Sequence, residues 1–251
     1  MNHFFIPFLL LLSVSSTAYA QKEKLNIIVF IADDVSWDDL GCYGNTQVKT
    51  PNIDQLARDG LKFDNFYLTA SSCSPSRNSI ITGRYPHNTG AAELHTAPPL
   101  NMVSFPELLR NNNYYSVMAG KFHMGPYARR GFDIMFEHRN ENGDGGEESW
   151  VSSLKERPKT KPFFMWFASY DAHRDWGPNK FSGTHQPNQL EPPFYLSNGD
   201  ETKADLAKYY DEISRFDFYI GEVVKELKSQ KELDNTLIII MSDNGRPFPH
   251  S

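Results

Sequence analysis

Apolar residues occur in short, nearly continuous runs that are separated by amphipathic segments. Residues 25–32 (LNIIVFIA), 163–168 (FFMWFA) and 237–241 (LIIIM) are rich in β-branched and aromatic side chains. Runs of this length are typical of strands that are buried on both faces of a sheet. The sequence predicts a further strand over residues 114–118, after a polar segment that contains three consecutive asparagines.

The amphipathic segments between these runs predict helices. Thr50 can cap the first of them and Gly60 can end it, because threonine favours a helix start and glycine a helix end. Strands that alternate with helices imply an α/β fold, with a mostly parallel central sheet and helices on both of its faces. Helices are predicted in four places: residues 51–60, the segment after Pro75, the segment from Pro106, and residues 206–227.

Polar side chains follow each predicted strand, at the edge where the carboxyl ends of parallel strands meet and ligands bind. Carboxylate and amide oxygens suit calcium or magnesium rather than zinc or copper, and crowded carboxylates repel one another unless a cation neutralises them. A single aspartate at a strand end more often forms a turn. Two such acidic segments together predict a cation site. The residues at the four strand ends are Asp33 and Asp34, Lys121 and His123, Asp171 and His173, and Asp243 and Asn244.

The N-terminal residues 1–20 have the pattern of a cleavable export signal. An apolar run over residues 4–12 precedes Ala-Tyr-Ala at residues 18–20, a pattern that signal peptidases cut. The run is too short to span a bilayer, which takes roughly 20 apolar residues. We therefore expect a secreted or periplasmic protein without a membrane span after cleavage, in which residues 21–251 form one domain.

Charge and cysteine content exclude some functions. The net charge is -6 over 251 residues, and such an acidic chain lacks the basic surface of a nucleic-acid-binding protein. The two cysteines, Cys42 and Cys73, are too few for a disulfide scaffold. By count alone they could pair with each other or both be buried. Cys42 is expected to be a small buried residue.

The segment around Cys73 carries a signature. It reads CSPSR over residues 73–77 and TGR over residues 82–84, which resembles the sulfatase pattern Cys-x-Pro-Ser-Arg with a downstream Thr-Gly-Arg. Residues 114–123 (YYSVMAGKFH) resemble the second sulfatase signature, although Asn113 stands where that pattern usually has glycine. IADDVSWDDLGCYG, TPNIDQLARDG and MSDNG are also similar to sulfatase segments. The chain thus resembles the formylglycine-dependent sulfatases of the alkaline phosphatase superfamily over most of its length.

This resemblance implies a modified residue and a metal. Cys73 would be oxidised to formylglycine by a maturation enzyme encoded elsewhere and then hydrated to a diol, one hydroxyl of which attacks sulfur. The cation would be calcium, with magnesium as the alternative. The implied metal ligands are Asp33, Asp34, Asp243, Asn244 and residue 73.

The resemblance also implies catalytic roles for Cys73 and four other side chains. Arg77 would steady the diol, and Lys121 would bind a sulfate oxygen. His123 would remove the proton of the second hydroxyl, because a histidine titrates near neutral pH. His173, or Lys121 beside it, would protonate the departing oxygen or nitrogen.

The substrate implied is a sulfated sugar or polysaccharide. YDAHRDW around His173 and SDNGRPFP resemble the heparan N-sulfatase (sulfamidase) branch, whose bacterial relatives also act on algal polysaccharides. Two alternatives remain open: a phosphate or phosphonate ester hydrolase of the same superfamily, or an inactive glycan-binding remnant. Sulfatases usually continue well past the SDNG strand, so a sequence that stops at Ser251 is expected to be C-terminally truncated and poorly stable or weakly active alone.

Two further segments have plainer interpretations. Residues 140–148 (NENGDGGEE) are rich in oxygen ligands but lack the spacing of an EF-hand, which favours a flexible acidic loop. His87 and His95 lie near the cysteine signature and are assigned no role beyond lining a pocket.

Overall fold

The computed structural model describes residues 24–248, so the predicted export signal lies outside the described residues. Five strands form one sheet in which every neighbouring pair is parallel. The predicted α/β class with a parallel central sheet is therefore confirmed. In spatial order the strands are β3 (Ile134–Phe136), β2 (Tyr115–Gly120), β4 (Phe163–Ala168), β1 (Asn26–Ala32) and β5 (Thr236–Ser242).

Seven α-helices connect these strands within the described residues, and short 3-10 turns lie between them. The apolar pattern predicted the first, fourth and seventh helices, whereas it missed β3 and the third, fifth and sixth helices. The helices are α1 (Pro51–Asp59), α2 (Cys73–Thr82), α3 (Pro86–Thr89), α4 (Phe105–Asn111), α5 (Arg139–Asn142), α6 (Trp150–Glu156) and α7 (Asp200–Ser229).

Helix α2 begins two residues earlier than the sequence predicted. Ser72 is extended, and its carbonyl accepts the first helical hydrogen bond from the Ser76 amide at 3.0 Å. Pro75 therefore lies inside the first turn, where a helix needs no amide donor and tolerates proline. This start places Cys73 in the helix itself rather than before it.

Side chains of β1 alternate between two apolar cores, one on each face of the sheet. Phe30 packs against Trp150 of α6 with ring centroids 5.3 Å apart, in a core that also contains the buried side of α7. Ile31 points to the other face and packs in a core with Ile81 of α2. Each buried side chain of this size contributes about 1.5–3 kcal/mol. The sheet is thus fixed from both sides, and its carboxyl edge is held rigidly.

An aspartate of α7, rather than the expected Thr50, accepts the free amides at the start of α1. The Thr50 hydroxyl instead accepts the Gly41 amide at 2.9 Å. Asp217 accepts the Ile53 amide at 2.8 Å and the Asn52 amide at 3.3 Å. Burial raises the pKa of Asp217 to about 6, so the group is a carboxylate at pH 7 and attracts the helix N-terminus.

Part of the segment over residues 140–148, which was expected to be an acidic loop, is buried, whereas Asn140, Glu141, Asp144 and Glu148 are exposed. Glu147 is only 1% exposed. A Cβ on Gly145 would lie 2.2 Å from the Glu147 carboxylate and 2.5 Å from Nε of Arg215 in α7. Glycine therefore leaves room for both side chains where α7 approaches this turn, and burial, which outweighs the charge of Arg215, raises the pKa of Glu147 well above its usual range.

The two cysteines do not pair. Cys42 and Cys73 are both free thiols and both are partly buried, so the full burial expected for Cys42 is wrong. Among the helices of residues 24–248, none has the length and apolar character needed to cross a bilayer.

We expect Asp217→Ala to lower the free energy of unfolding by about 1–3 kcal/mol, because two α1 amides lose a charged acceptor. Asp217→Asn is the matched control, since it keeps one carbonyl acceptor and should lose less. Urea denaturation at pH 7 measures both variants. An unchanged unfolding free energy for Asp217→Ala would contradict the capping role.

Candidate active site

The register of β1 and β5 brings two acidic segments together. Ala32 pairs with Ser242, the last residues of the two strands. The Asp243 amide donates to the Ala32 carbonyl at 3.1 Å, so the parallel pairing continues one residue beyond the strand. Asp33 and Asp243 therefore leave the sheet side by side.

Gly120 lets β2 deliver Lys121 to the same edge. It pairs with Ala168 at the end of β4, and the Lys121 amide donates to the Ala168 carbonyl at 2.8 Å. Gly120 has φ +102, and a Cβ there would lie 1.8 Å from that carbonyl oxygen. Since any side chain would collide with the neighbouring strand, the sharp exit after β2 requires glycine.

The oxygen atoms at this rim fit a hard divalent cation. Ligand atoms of Asp33, Asp34 and Cys73 all lie within 4.8 Å of one another. The Asn244 amide nitrogen donates to Asp34, which leaves the Asn244 Oδ1 available. Asp33 Oδ1 and Asn244 Oδ1 are buried without a hydrogen-bond partner in residues 24–248. Buried unpaired acceptors are rare, and an all-oxygen set of this kind is what calcium or magnesium binds.

A fully buried guanidinium lies against the acids. Arg77 Nε donates to Asp243 at 2.7 Å, one terminal nitrogen donates to the Lys121 carbonyl at 2.9 Å, and the other lies 3.5 Å from Asp33. Burial and the charge of Asp243 raise the pKa of Asp33 to about 8, against the lowering effects of Arg77 and Lys121. Burial opposes ionisation of Asp243, but Arg77 and Lys121 hold its pKa below the usual range. The protonated form of Asp33 is therefore favoured at pH 7, and Asp243 is the ionised partner of Arg77.

The two basic residues after β2 lie beside the acids. The Lys121 ammonium contacts the Asp33 carboxylate. His123 has a left-handed backbone with φ 46, which is costly for a side-chain-bearing residue and is common at active sites. Burial, followed by the charges of Lys121 and Arg77, lowers the pKa of His123 to about 4. The imidazole is therefore neutral at pH 7, the form that accepts a proton.

Cys73 and His173 both lie near the Asp34 carboxylate. The Cys73 sulfur and the His173 Nε2 each lie 4.0 Å from a carboxylate oxygen of Asp34. Burial, with the charges of Asp243 and Asp33, raises the pKa of Cys73 to about 12, opposite to the shift of a catalytic thiolate. The His173 side chain is 48% exposed.

Every residue predicted for the site thus lies at this rim. The sequence reasoning did not assign a role to His95, whose Nδ1 is 2.8 Å from His123 Nε2. His95 lies in an irregular segment without periodicity or a recognisable motif. Its closeness to the cysteine signature was the only signal in the sequence.

The sequence reasoning also missed a buried ion pair that supports the β1 exit. Arg215 of α7 donates through Nε to the Asp171 carboxylate at 2.6 Å. The Asp171 carbonyl accepts the Asp33 amide at 2.7 Å, and the Ala172 amide donates back to the Asp33 carbonyl at 2.7 Å. Arg215 thereby fixes the backbone that positions Asp33. No sequence pattern links residues that lie so far apart on α7 and after β4.

A parallel sheet with this rim defines an α/β protein that has a candidate site for a hard cation beside buried positive charges. The chain belongs to the sulfatase family, whose model matches residues 25–250. It is 31% identical to human N-sulphoglucosamine sulphohydrolase over 89% of this chain and 51% of that protein. It is 32% identical to the ulvan-active sulfatase of Formosa agariphila, over 93% and 47% respectively. The chain thus spans about half the length of these relatives.

Solved structures share the fold. Ps i-CgsB in complex with k-i-k-neocarrahexaose has a TM-score of 0.75 at 26% identity, over 89% of this chain and 59% of that one. A structure solved with its substrate D-glucosamine-2-N,6-O-disulfate has a TM-score of 0.74 at 23% identity, over 89% and 66%. The second likeness concerns the fold alone.

We expect Arg77→Met to lower the free energy of unfolding by about 3–5 kcal/mol, because the Asp243 carboxylate loses its buried counter-charge. Arg77→Lys is the matched control: it keeps the charge but loses the branched donor, so it should lose less. Guanidinium chloride is ionic and screens charge, so urea denaturation is the suitable measurement. Equal stability of Arg77→Met and the unmutated chain would show that the guanidinium is not required.

Proposed function

We propose that this chain is the catalytic part of a secreted, calcium-dependent sulfatase that hydrolyses O-sulfate or N-sulfate groups of sulfated glycans. Cys73, converted to formylglycine, is the nucleophile. One observation carries the proposal: Cys73 in the first turn of α2 has its sulfur within 4.8 Å of ligand atoms of Asp33 and Asp34. Because its pKa is raised, the Cys73 thiol does not ionise to a thiolate nucleophile at neutral pH. A converted residue 73 would instead complete a cation site.

The names of the relatives support the substrate class. N-sulphoglucosamine sulphohydrolase and the ulvan-active sulfatase are both similar to this chain over most of its length. The first name favours an N-sulfated amino sugar and the second a sulfated polysaccharide. Export is supported by the sequence of residues 1–20. Conversion of Cys73 additionally requires a formylglycine-generating enzyme.

Four side chains of the rim would hold the cation through oxygen: Asp33, Asp34, Asp243 and Asn244. When bound, the cation supplies Lewis acidity and the hydrated formylglycine supplies a hydroxyl nucleophile. Arg77 holds Asp243 in place through its 2.7 Å hydrogen bond. The ligands are thus positioned before the cation arrives, because a buried guanidinium cannot reorient freely.

The remaining residues handle charge and protons. A sulfate group is anionic, and Lys121 with Arg77 would balance the charge that builds on its oxygens. Neutral His123 would accept a proton from the group at position 73. His173, whose Nε2 lies 4.0 Å from the Asp34 carboxylate, would protonate the departing oxygen or nitrogen. The chain therefore offers a proton acceptor after β2 and a proton donor after β4.

Phosphate or phosphonate ester hydrolysis is the second candidate. The phosphonate monoester hydrolase of Agrobacterium radiobacter has a TM-score of 0.75 at 19% identity, a likeness in fold alone. The CSPSR signature favours sulfate. Turnover of 4-nitrophenyl sulfate in excess of 4-nitrophenyl phosphate supports the sulfatase, and the reverse ratio supports the phosphoesterase. Glycan binding without release of either anion supports an inactive remnant.

Conversion of Cys73 is expected to lower the mass of its tryptic peptide by about 18 Da, since the elements of hydrogen sulfide are exchanged for one oxygen. Peptide mass spectrometry of chain co-expressed with a formylglycine-generating enzyme measures the change. Cys73→Ala should then reduce sulfate release by at least about a thousandfold, because the nucleophile is lost. Cys42→Ala is the matched control and should retain activity. A fully active Cys73→Ala variant would exclude the proposed nucleophile.

Calcium affinity is expected to rise with pH between about 6 and 8. In the cation-free protein the pKa of Asp33 is about 8, so below that pH the cation must displace a proton. Affinity should therefore increase by up to about tenfold per pH unit and level off above pH 8. Isothermal titration of calcium in buffers with different ionisation enthalpies measures the proton released. A pH-independent affinity without proton release would contradict the assignment.

A further inference from the structure

His95 and His123 form a hydrogen-bonded pair at the edge of the site. His95 Nδ1 and His123 Nε2 lie 2.8 Å apart, and the two ring centroids are 4.9 Å apart. The His95 amide donates to the Ser74 hydroxyl at 2.9 Å, one residue after Cys73 in α2. The pair is thus tethered to the first turn of the helix that carries the nucleophile.

The two rings differ in their access to water. His95 is exposed. His123 is half-buried, and its other ring nitrogen, Nδ1, is buried without a hydrogen-bond partner in residues 24–248. His95 and His123 both have left-handed backbones, with φ 64 and φ 46. Backbone strain at two residues in contact indicates that the surrounding structure holds the two rings in one geometry.

The charges around His123 disfavour a retained proton. Lys121 and Arg77 face it as fixed positive charges, His95 adds to them when protonated, and Asp243 acts in the opposite direction. Burial works in the same direction as the two cations. An imidazolium at this position would be short-lived, so a proton taken up at Nδ1 needs an exit. The Nε2 contact with exposed His95 is the one exit that the pair provides.

We propose that His95 and His123 form a two-histidine relay that carries the proton from the group at position 73 to solvent. The proposal rests on the proposed function. His123 starts neutral with its proton on Nε2, which donates to His95 Nδ1. His123 Nδ1 accepts a proton from an oxygen on residue 73, Nε2 transfers its proton to His95 Nδ1, and His95 releases the proton on its own Nε2 to water. One proton enters and one leaves, both rings end neutral with the proton on Nδ1, and tautomer exchange through water restores the starting state before the next turnover.

His95 acts through His123, so it is a positioning and relay residue. The test must distinguish a loss of proton transfer from a structural change at the site. We expect His95→Gln to lower kcat for 4-nitrophenyl sulfate about tenfold with KM unchanged within about twofold, because glutamine can hydrogen-bond but cannot pass a proton on. His95→Ala should lose as much, and added imidazole should restore most of its kcat. The matched control is His87→Gln, since exposed His87 only stacks on Tyr85.

A second measurement does not depend on activity. Nitrogen-15 spectra of histidine-labelled chain at pH 7 should show a His123 proton on Nε2 in a hydrogen bond, and this signal should shift in His95→Ala but not in His87→Gln. An unshifted His123 signal would overturn the pair. The relay would be overturned by an unchanged kcat in His95→Gln. It would also be overturned if the kcat of His95→Ala is low and added imidazole does not raise it.

The two hypotheses fail in different ways. If converted, unmutated chain releases no sulfate, the proposed function fails and the relay fails with it, whatever the spectra show. If that chain releases sulfate while His95→Gln matches it in kcat, only the relay fails.

Discussion

The contact of the Arg77 guanidinium with the carboxylates of Asp33 and Asp243 is the interaction on which the rest of the structure depends. All three groups are buried, where an unpaired charge costs several kcal/mol. The contact joins the ends of β1 and β5 to the first turns of α2. Arg77 and Lys121 bring two positive charges to the three acids Asp33, Asp34 and Asp243, so the contacts that stabilise the fold still leave one acid more than there are cations. The same buried acids therefore affect both the stability of the fold and the proposed binding of a cation.

Much of the fold could be predicted because its central strands are buried on both faces. Such strands must be apolar throughout, so β4 and β5 were visible as continuous runs, and the parallel pairing then fixed where their carboxyl ends lie. β3 was missed because it has three residues, too few for a period, and it is partly exposed. α6 was missed for a related reason: its seven residues give little more than one repeat of a helical pattern.

Site residues could be predicted where they follow a strand or belong to a motif. They could not be predicted where a contact between distant segments sets their position. His95 gains its position from a contact with His123 that no spacing encodes. Glu147 was taken for part of a solvated loop because its neighbours are acidic and glycine-rich. Composition describes the unfolded segment, whereas α7 comes close to this turn only in the folded chain, where Glu147 is buried.

The pairing of β1 with β5 has a consequence for the timing of synthesis. Asp34 and Asp243 are 209 residues apart, so a cation held by both closes a loop that includes nearly all of the described chain. A closure of this length removes on the order of 5 kcal/mol of chain entropy from the unfolded state, as a long-range cross-link does. Cys73 leaves the ribosome well before β5 does. Until β5 docks, the thiol lies beside Asp33 and Asp34 without Asp243 and Asn244, so the acidic rim is complete only after this strand has joined the sheet.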